Sequence, residues 1–211
     1  MKTKILALAL ALAPFAASAA PLSYTYVEGG WNKLHIDDEL LDNPEADGGF
    51  VRGSYDIGSG VNVFGGVSRV SEDFRLDAAT RLDIDLTQYE LGLGYHQSMS
   101  DRVDFIAELA YTRLDTDIEV DIVDVGRGSD SVDMKGGRGA LGVRGQFNDS
   151  LEGLLKVNYY AGGDFDETFT GVVGAQFKFN PTWGITAEIE HGELLSTGND
   201  TRYQVGVRAS F

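Results

Sequence analysis

From Leu22 onward helix-like periodicity is scarce and alternation of apolar with polar residues is frequent, which points to strands with one greasy face. At the C-terminus Tyr203, Val205, Val207, Ala209 and Phe211 alternate with Arg202, Gln204, Gly206, Arg208 and Ser210. Val103, Phe105, Ala107, Leu109 and Tyr111 alternate in the same way with Asp104, Ile106, Glu108, Ala110 and Thr112. Followed along the chain, the pattern predicts strands at 22–33, 49–58, 61–70, 84–97, 103–115, 137–147, 151–161, 168–179, 183–194 and 201–211. Gly58-Ser59-Gly60, 98–102, Asn148-Asp149-Ser150 and Asn180-Pro181-Thr182 are short connections rich in turn formers. Those at 34–48, 71–83, 116–136, 162–167 and 195–200 are mostly longer and polar. Short turns at one end and longer loops at the other are the layout of a transmembrane barrel. The expected fold class is therefore all-β, a closed up-and-down antiparallel barrel of ten strands with both termini on one side. That arrangement needs an even number, so eight is the fallback if two of the segments stand outside the membrane.

A secreted β-sandwich would alternate too, but it has no reason to sort aromatics by height. Here Trp31, Tyr89, Tyr111, Tyr159, Phe169 and Tyr203 fall near the long-loop ends of their strands. Tyr55, Tyr95, Phe105, Phe147, Phe179, Trp183 and Phe211 fall near the short-turn ends, and aliphatic residues such as Leu91, Leu109, Val157 and Ile189 lie between. Two aromatic girdles around an aliphatic band match rings held at the two headgroup levels of a bilayer.

The N-terminus predicts export. Lys2 and Lys4 precede the apolar run Ile5 to Ala13, and Ala17-Ser18-Ala19 reads as a small-x-small cleavage site. The expectation is a signal peptide at 1–19 and a barrel at 20–211. The apolar run is too short for a spanning helix. The chain has no cysteine, which excludes disulfides, thiolate metal sites and thiol catalysis. Its net charge of −16 argues against a nucleic-acid partner.

The polar face carries charge at mid-strand: Glu28, Glu90, Glu108, Glu188 and Glu190 against Arg52, Arg144, Lys156 and Arg208. The strand order predicts Glu108 near Arg144 and Lys156, and ring closure predicts Glu28 and Glu188 near Arg208. Charges in a narrow interior persist when paired, and the large residues Tyr24, Tyr26 and Phe64 point the same way. These residues predict an ion-paired plug; a narrow ion or proton path through them is the alternative.

Two further features carry candidate chemistry. His35 lies beside Asp37, Asp38 and Glu39, and His191 lies between Glu190 and Glu193; a histidine–carboxylate pair facing acids could activate water. Acid also crowds the first long loop (Asp42, Glu45, Asp47) and the third (Asp115, Asp117, Glu119, Asp121, Asp124, Asp130, Asp133). No EF-hand spacing accompanies it, so solvated loops are expected, with no metal and no cofactor. Asp117, Glu119 and Asp121 alternate with Ile118, Val120 and Ile122, which predicts a hairpin continuing above the membrane with 132–140.

The start Met1-Lys2-Thr3-Lys4-Ile5-Leu6, the segment Leu22-Ser23-Tyr24-Thr25-Tyr26-Val27-Glu28 and the ending on Phe211 resemble a xanthomonad-type family of small outer-membrane barrels. Its members have been described as quorum-sensing factors and as activators of plant immunity; the broader similarity is to OmpA-like and OmpX-like barrels. The resemblance implies bacterial outer-membrane localisation, release in vesicles, and links to biofilm and virulence. Tyr203, Val205, Val207, Ala209 and Phe211 resemble the C-terminal signal read by the barrel-assembly machinery. The ten-strand count is similar to omptin-like proteases, which makes a rim hydrolase a further alternative. The expected role is non-enzymatic and structural or surface-interacting, with outer-membrane lipids, lipopolysaccharide and an extracellular or host surface as partners.

Overall fold

The computed structural model describes residues 22–36, 45–75, 80–122, 126–193 and 199–211. The expected signal peptide, and Asp37, Asp38, Glu39, Asp42 and Asp124 of the acidic connections, lie outside these residues. Ten strands follow in order: β1 (Tyr26–His35), β2 (Glu45–Gly58), β3 (Val61–Arg75), β4 (Thr80–Ser100), β5 (Val103–Ile122), β6 (Gly126–Asn148), β7 (Leu151–Gly162), β8 (Phe165–Lys178), β9 (Trp183–Gly192) and β10 (Asp200–Ser210). Each pairs antiparallel with its sequence neighbour, and β1 closes the ring on β10, from Tyr26 opposite Ser210 to His35 opposite Thr201. Closure removes both sheet edges at membrane depth, where an unpaired backbone group has no water to turn to.

The register matches odd residues to odd and even to even around the ring, as in Leu93 opposite Leu109, Leu109 opposite Gly139 and Tyr159 opposite Phe169. Even-numbered residues therefore face the lumen through the spanning part of every strand. The tight turn between β2 and β3 preserves this parity with three successive left-handed residues, Gly58, Ser59 and Gly60, at φ of 94°, 58° and 77°. Only residues that tolerate positive φ can make so abrupt a reversal.

Several expectations change. The segment 71–83, read as a loop, is largely strand: β3 runs to Arg75 and β4 starts at Thr80. The hairpin expected above the membrane does form, but Asp117 to Ile122 pair with Ser131 to Gly126 and not with 132–140. The sheet thus rises above the loop-end girdle at β3 to β6 and stays low at β7 to β10. The connection at 162–167 is a tight reversal, with Gly162 and Gly163 at φ of 82° and 66°. Residues 22–25, read as the start of the first strand, precede it and leave the wall.

Candidate functional site: a filled lumen

The inward face holds two connected ionic clusters at mid-barrel. In the first, Glu28 is 1% exposed and accepts from Arg52 at 2.7 Å, from Arg208 Nε at 2.7 Å and from Thr186 Oγ1 at 2.7 Å. Arg52 also bridges to both oxygens of Glu188, at 2.5 and 2.9 Å, and Arg208 donates to Gln176 at 3.2 Å. In the second, Arg138 donates to both oxygens of Glu90 at 2.6 and 2.9 Å, to Glu108 at 2.9 Å and to Asn158 at 3.1 Å. Lys156 reaches the same Glu108 at 3.1 Å. Glu190 completes this layer, accepting from Thr170 at 2.6 Å, Asn158 at 2.8 Å, Tyr160 at 3.2 Å and Arg202 at 3.5 Å. The guanidiniums also lie over rings: Arg208 over Tyr26 at 4.1 Å and Arg138 over Phe64 at 5.7 Å. Glycine on β4 makes room for this filling, since Gly92 is where the Phe64 ring lies against the wall. A cavity of about 200 Å³ remains among these groups.

The expected partnership of Glu108 with Arg144 is not formed. Arg144 sits lower, at the short-turn end, bound to Glu152 at 2.6 and 3.1 Å, and Lys178 pairs with the same Glu152. Arg138, which sequence reading left unassigned, takes the place beside Glu108. The pairing of Arg208 with Glu28 is direct, while its nearest approach to Glu188 is 3.9 Å.

The two ends of the lumen are lined differently. At the short-turn end residues 22–25 cross from β1 towards the opposite wall. The Ser23 carbonyl accepts from Arg144 at 2.7 Å, and its hydroxyl donates to the carbonyl of Phe211 at 2.8 Å. The Tyr24 hydroxyl donates to Asp104 at 3.0 Å, and its ring stacks on His96 at 3.7 Å with 6° between planes. Leu22 is buried. At the loop end Leu34, Ala46 and Val70 form an apolar cluster packed by Ile36 and Leu86.

Outside, Trp31, Tyr89, Tyr111 and Tyr203 stand half-exposed near the loop ends, as do Tyr95 and Trp183 near the turns, where Phe147 is more fully exposed. Tyr159 is partly covered by Phe169, with ring centroids 4.8 Å apart. Phe211 follows β10 and donates its N–H to the Thr25 carbonyl at 2.9 Å. Of the terminal apolar set, Tyr203, Val205 and Val207 are exposed and Ala209 is covered, opposite Trp183.

Above the girdle the outer face is acidic. Asp83 lies opposite Asp73, and the hydrogen bond between their carboxyls, together with their mutual repulsion, raises the Asp83 pKa. The Asp133 carboxyl is held below its ordinary value by Lys135, with Arg113 adding to the effect. His35 Nδ1 is 3.4 Å from Glu45, and His191 Nδ1 is 2.9 Å from the Thr201 hydroxyl. The acid beside His191, Glu190, points instead into the lumen network. Among the described residues no group of three or more His, Asp or Glu is placed to hold a metal ion.

A closed ten-stranded barrel, apolar and ringed with aromatics outside and charged within, defines a small outer-membrane β-barrel. Residues 5–167 match the family model described as outer membrane protein beta-barrel domain, and the chain belongs to that family. Among solved structures, the outer-membrane protease OmpT of Escherichia coli aligns at a TM-score of 0.52 and 9% identity over 93% of this chain and 99% of that one. Ail, the attachment invasion locus protein of Yersinia pestis, in complex with the heparin analogue sucrose octasulfate, aligns at 0.50 and 12% identity over 89% and 97%. The transport unit of the E. coli autotransporter AIDA-I aligns at 0.50 and 8% identity over 98% and 96%. At these identities the likeness is one of fold. Among curated proteins none matches.

Proposed function

We propose that this protein is a non-enzymatic, non-conducting outer-membrane barrel whose business is done by the surface it shows outside the cell. The observation that carries the reading is the filled lumen. Six glutamates (Glu28, Glu90, Glu108, Glu152, Glu188 and Glu190) meet seven cations (Arg52, Arg138, Arg144, Lys156, Lys178, Arg202 and Arg208) in ion pairs, and Asp104 faces inward beside them. Near-neutral, mutually bonded charge fills space without creating a selective path. A solute crossing it would have to break several charge-assisted bonds at once. The Tyr24 segment below and the Leu34 cluster above support closure at each mouth.

A rim hydrolase requires a histidine paired to a carboxylate with room for water beside it. Thr201 occupies His191, Glu190 is committed to Asn158, Thr170, Tyr160 and Arg202, and the Glu45 carboxylate beside His35 is shared with Lys33, which favours the non-enzymatic reading. Export through a signal peptide at 1–19, recognition of Tyr203, Val205, Val207, Ala209 and Phe211 by the assembly machinery, and lipopolysaccharide around the girdles belong to the same proposal. So do the vesicle, biofilm and virulence links implied by the family resemblance. An acidic exterior makes a polyanionic partner a poor fit.

The test is a liposome-swelling assay with small sugars, run alongside unfolding of Glu108→Gln. The reading expects no swelling above empty liposomes, and a variant that unfolds more easily by about 2 kcal/mol or more, having lost charge beside Arg138 and Lys156. Sugar entry through the unaltered protein, or a stable Glu108→Gln that admits sugars, would overturn it.

A further inference from the structure

Strand β6 outruns its neighbour. It starts at Gly126, but its pairing with β7 starts only at Gly137 opposite Ala161. On the other side β5 covers it throughout, from Ile122 opposite Gly126. Just below the gap Asp164 tidies the junction: its N–H donates to the Lys135 carbonyl at 2.8 Å, and its carboxylate accepts from the Lys135 N–H at 3.0 Å. Beyond that, no described residue pairs with this side of Gly126 to Met134, and every residue from Gly126 to Asp133 is exposed.

The ladder determines which groups stand open. In an antiparallel strand alternate residues send both N–H and C=O to the same neighbour. Lys135 sends both away from β5, so Arg127, Ser129, Ser131 and Asp133 do likewise. Exposed edges are usually blunted with lysine, proline or a covering segment. The stretch Gly126-Arg127-Gly128-Ser129-Asp130-Ser131-Val132-Asp133-Met134 contains neither lysine nor proline.

The two faces beside this edge differ in chemistry. On the lumen side Met134 lies opposite Leu114 and Val132 opposite Thr116, with Asp130 opposite Ile118 and Gly128 opposite Val120 further up, so the apolar part of this face is its lower end. On the outer side Asp117 lies opposite Ser131, and Asp115 lies opposite Asp133. Arg127 is already engaged by Asp121 at 3.4 Å and Glu119 at 3.8 Å, Asp115 by Arg113 at 2.6 Å, and Asp133 by Lys135 with Arg113 at 3.9 Å, which leaves acid in excess on this face. An added strand would set its alternate residues over these two faces.

We propose that the open edge of β6 at Gly126–Met134 captures an extended segment of a partner protein in which apolar and basic residues alternate. The apolar residues lie beside Val132 and Met134, the basic ones beside Ser131 and Asp133 where they can reach across to Asp117, and the backbone completes the ladder. A second copy of this chain is disfavoured as occupant, because the chain carries a net charge of −16 and would bring acid against acid. The proposal rests on the surface-interaction reading above, yet its failure would leave the closed lumen untouched, since a silent barrel needs no open edge.

The test uses the full folded barrel in lipid nanodiscs and a fluorescent peptide alternating Val and Lys, as long as the open edge. Comparison peptides replace Lys by Glu, or N-methylate alternate amides. The key variant is Ser129→Pro with Ser131→Pro, which removes two N–H groups aimed at the open side and leaves the β5 ladder intact. Saturable binding of the Val-Lys peptide is expected, with a loss of roughly tenfold or more in the double proline variant and for the N-methylated peptide. The Glu peptide is expected to bind far more weakly. Equal binding to the proline variant, equal binding of the N-methylated or Glu peptide, no binding of the Val-Lys peptide, or dimerisation of the barrel through this edge would each overturn the proposal. A heat-modifiability gel on the variant verifies that the barrel is folded.

Discussion

Replacing Arg138 by methionine isolates what the lumen network contributes. Arg138 is 4% exposed and makes four hydrogen bonds, two to Glu90, one to Glu108 and one to Asn158. Methionine keeps much of the volume and removes the charge. Glu108 retains Lys156 at 3.1 Å, but Glu90 loses both of its guanidinium contacts and keeps the Thr112 hydroxyl at 3.5 Å. Removing one partner of a buried pair typically costs about 3–5 kcal/mol, because a carboxylate is left desolvated and uncompensated. The upper half of that range is not expected, since Lys156 shields one of the two acids. Adding Glu90→Gln to Arg138→Met removes the stranded charge and should restore roughly 2 kcal/mol. Equilibrium unfolding in urea, read by the fraction that resists boiling-free electrophoresis as a compact band, gives both numbers. A single variant within about 1 kcal/mol of the unaltered protein, or a double variant no more stable than the single one, would refute the assignment of this network as the structural core of the lumen.

Two further outcomes follow from the same geometry. Tyr24→Ala removes a ring stacked on His96 and a hydroxyl bonded to Asp104; it should cost about 2 kcal/mol and increase hydrogen exchange of the Thr25 and Phe211 amides, with the β5–β6 amides unchanged. Asp83 has a raised carboxyl pKa in the folded sheet because Asp73 faces it, so the folded sheet binds this proton more tightly than the unfolded chain does. The repulsion is present at neutral pH and is relieved as pH falls through that raised value. Intrinsic-rate-corrected exchange of the β3–β4 amides around the pair should therefore slow on mild acidification, and Asp73→Asn should abolish the pH dependence.

Much of the barrel is legible in the sequence because period two survives the turns. The two-sided alternation of Tyr203 to Phe211, or of Val103 to Thr112, states which residue faces lipid, and the uniform parity of the register carries this from strand to strand. The pairing of inward charges is not legible in that way. Arg52 meets Glu188 and Arg208 meets Glu28 across 136 and 180 residues of sequence, and only the ring closure and tilt decide who is opposite whom. Arg138 was hidden by a boundary: with the sixth strand read from 137 it sat at a loop end, whereas β6 begins at Gly126 and buries it. The β5 half of the extension is legible in the alternation of Asp117 to Ile122, while its partner Gly126 to Ser131 is masked by Gly, Ser and Asp, residues that mark loops when one face must be greasy but are tolerated in a sheet standing in water. Tyr24 alternates correctly with Tyr26 and Glu28, so nothing local signals that its segment leaves the wall to cross the lumen.

Single-channel recording from the purified, refolded barrel in a planar bilayer tests the central claim most directly. The closed, ion-paired lumen predicts a flat trace at moderate voltage, interrupted at most when the Tyr24 segment is altered. Regular, stable conductance steps from the unaltered protein would contradict it.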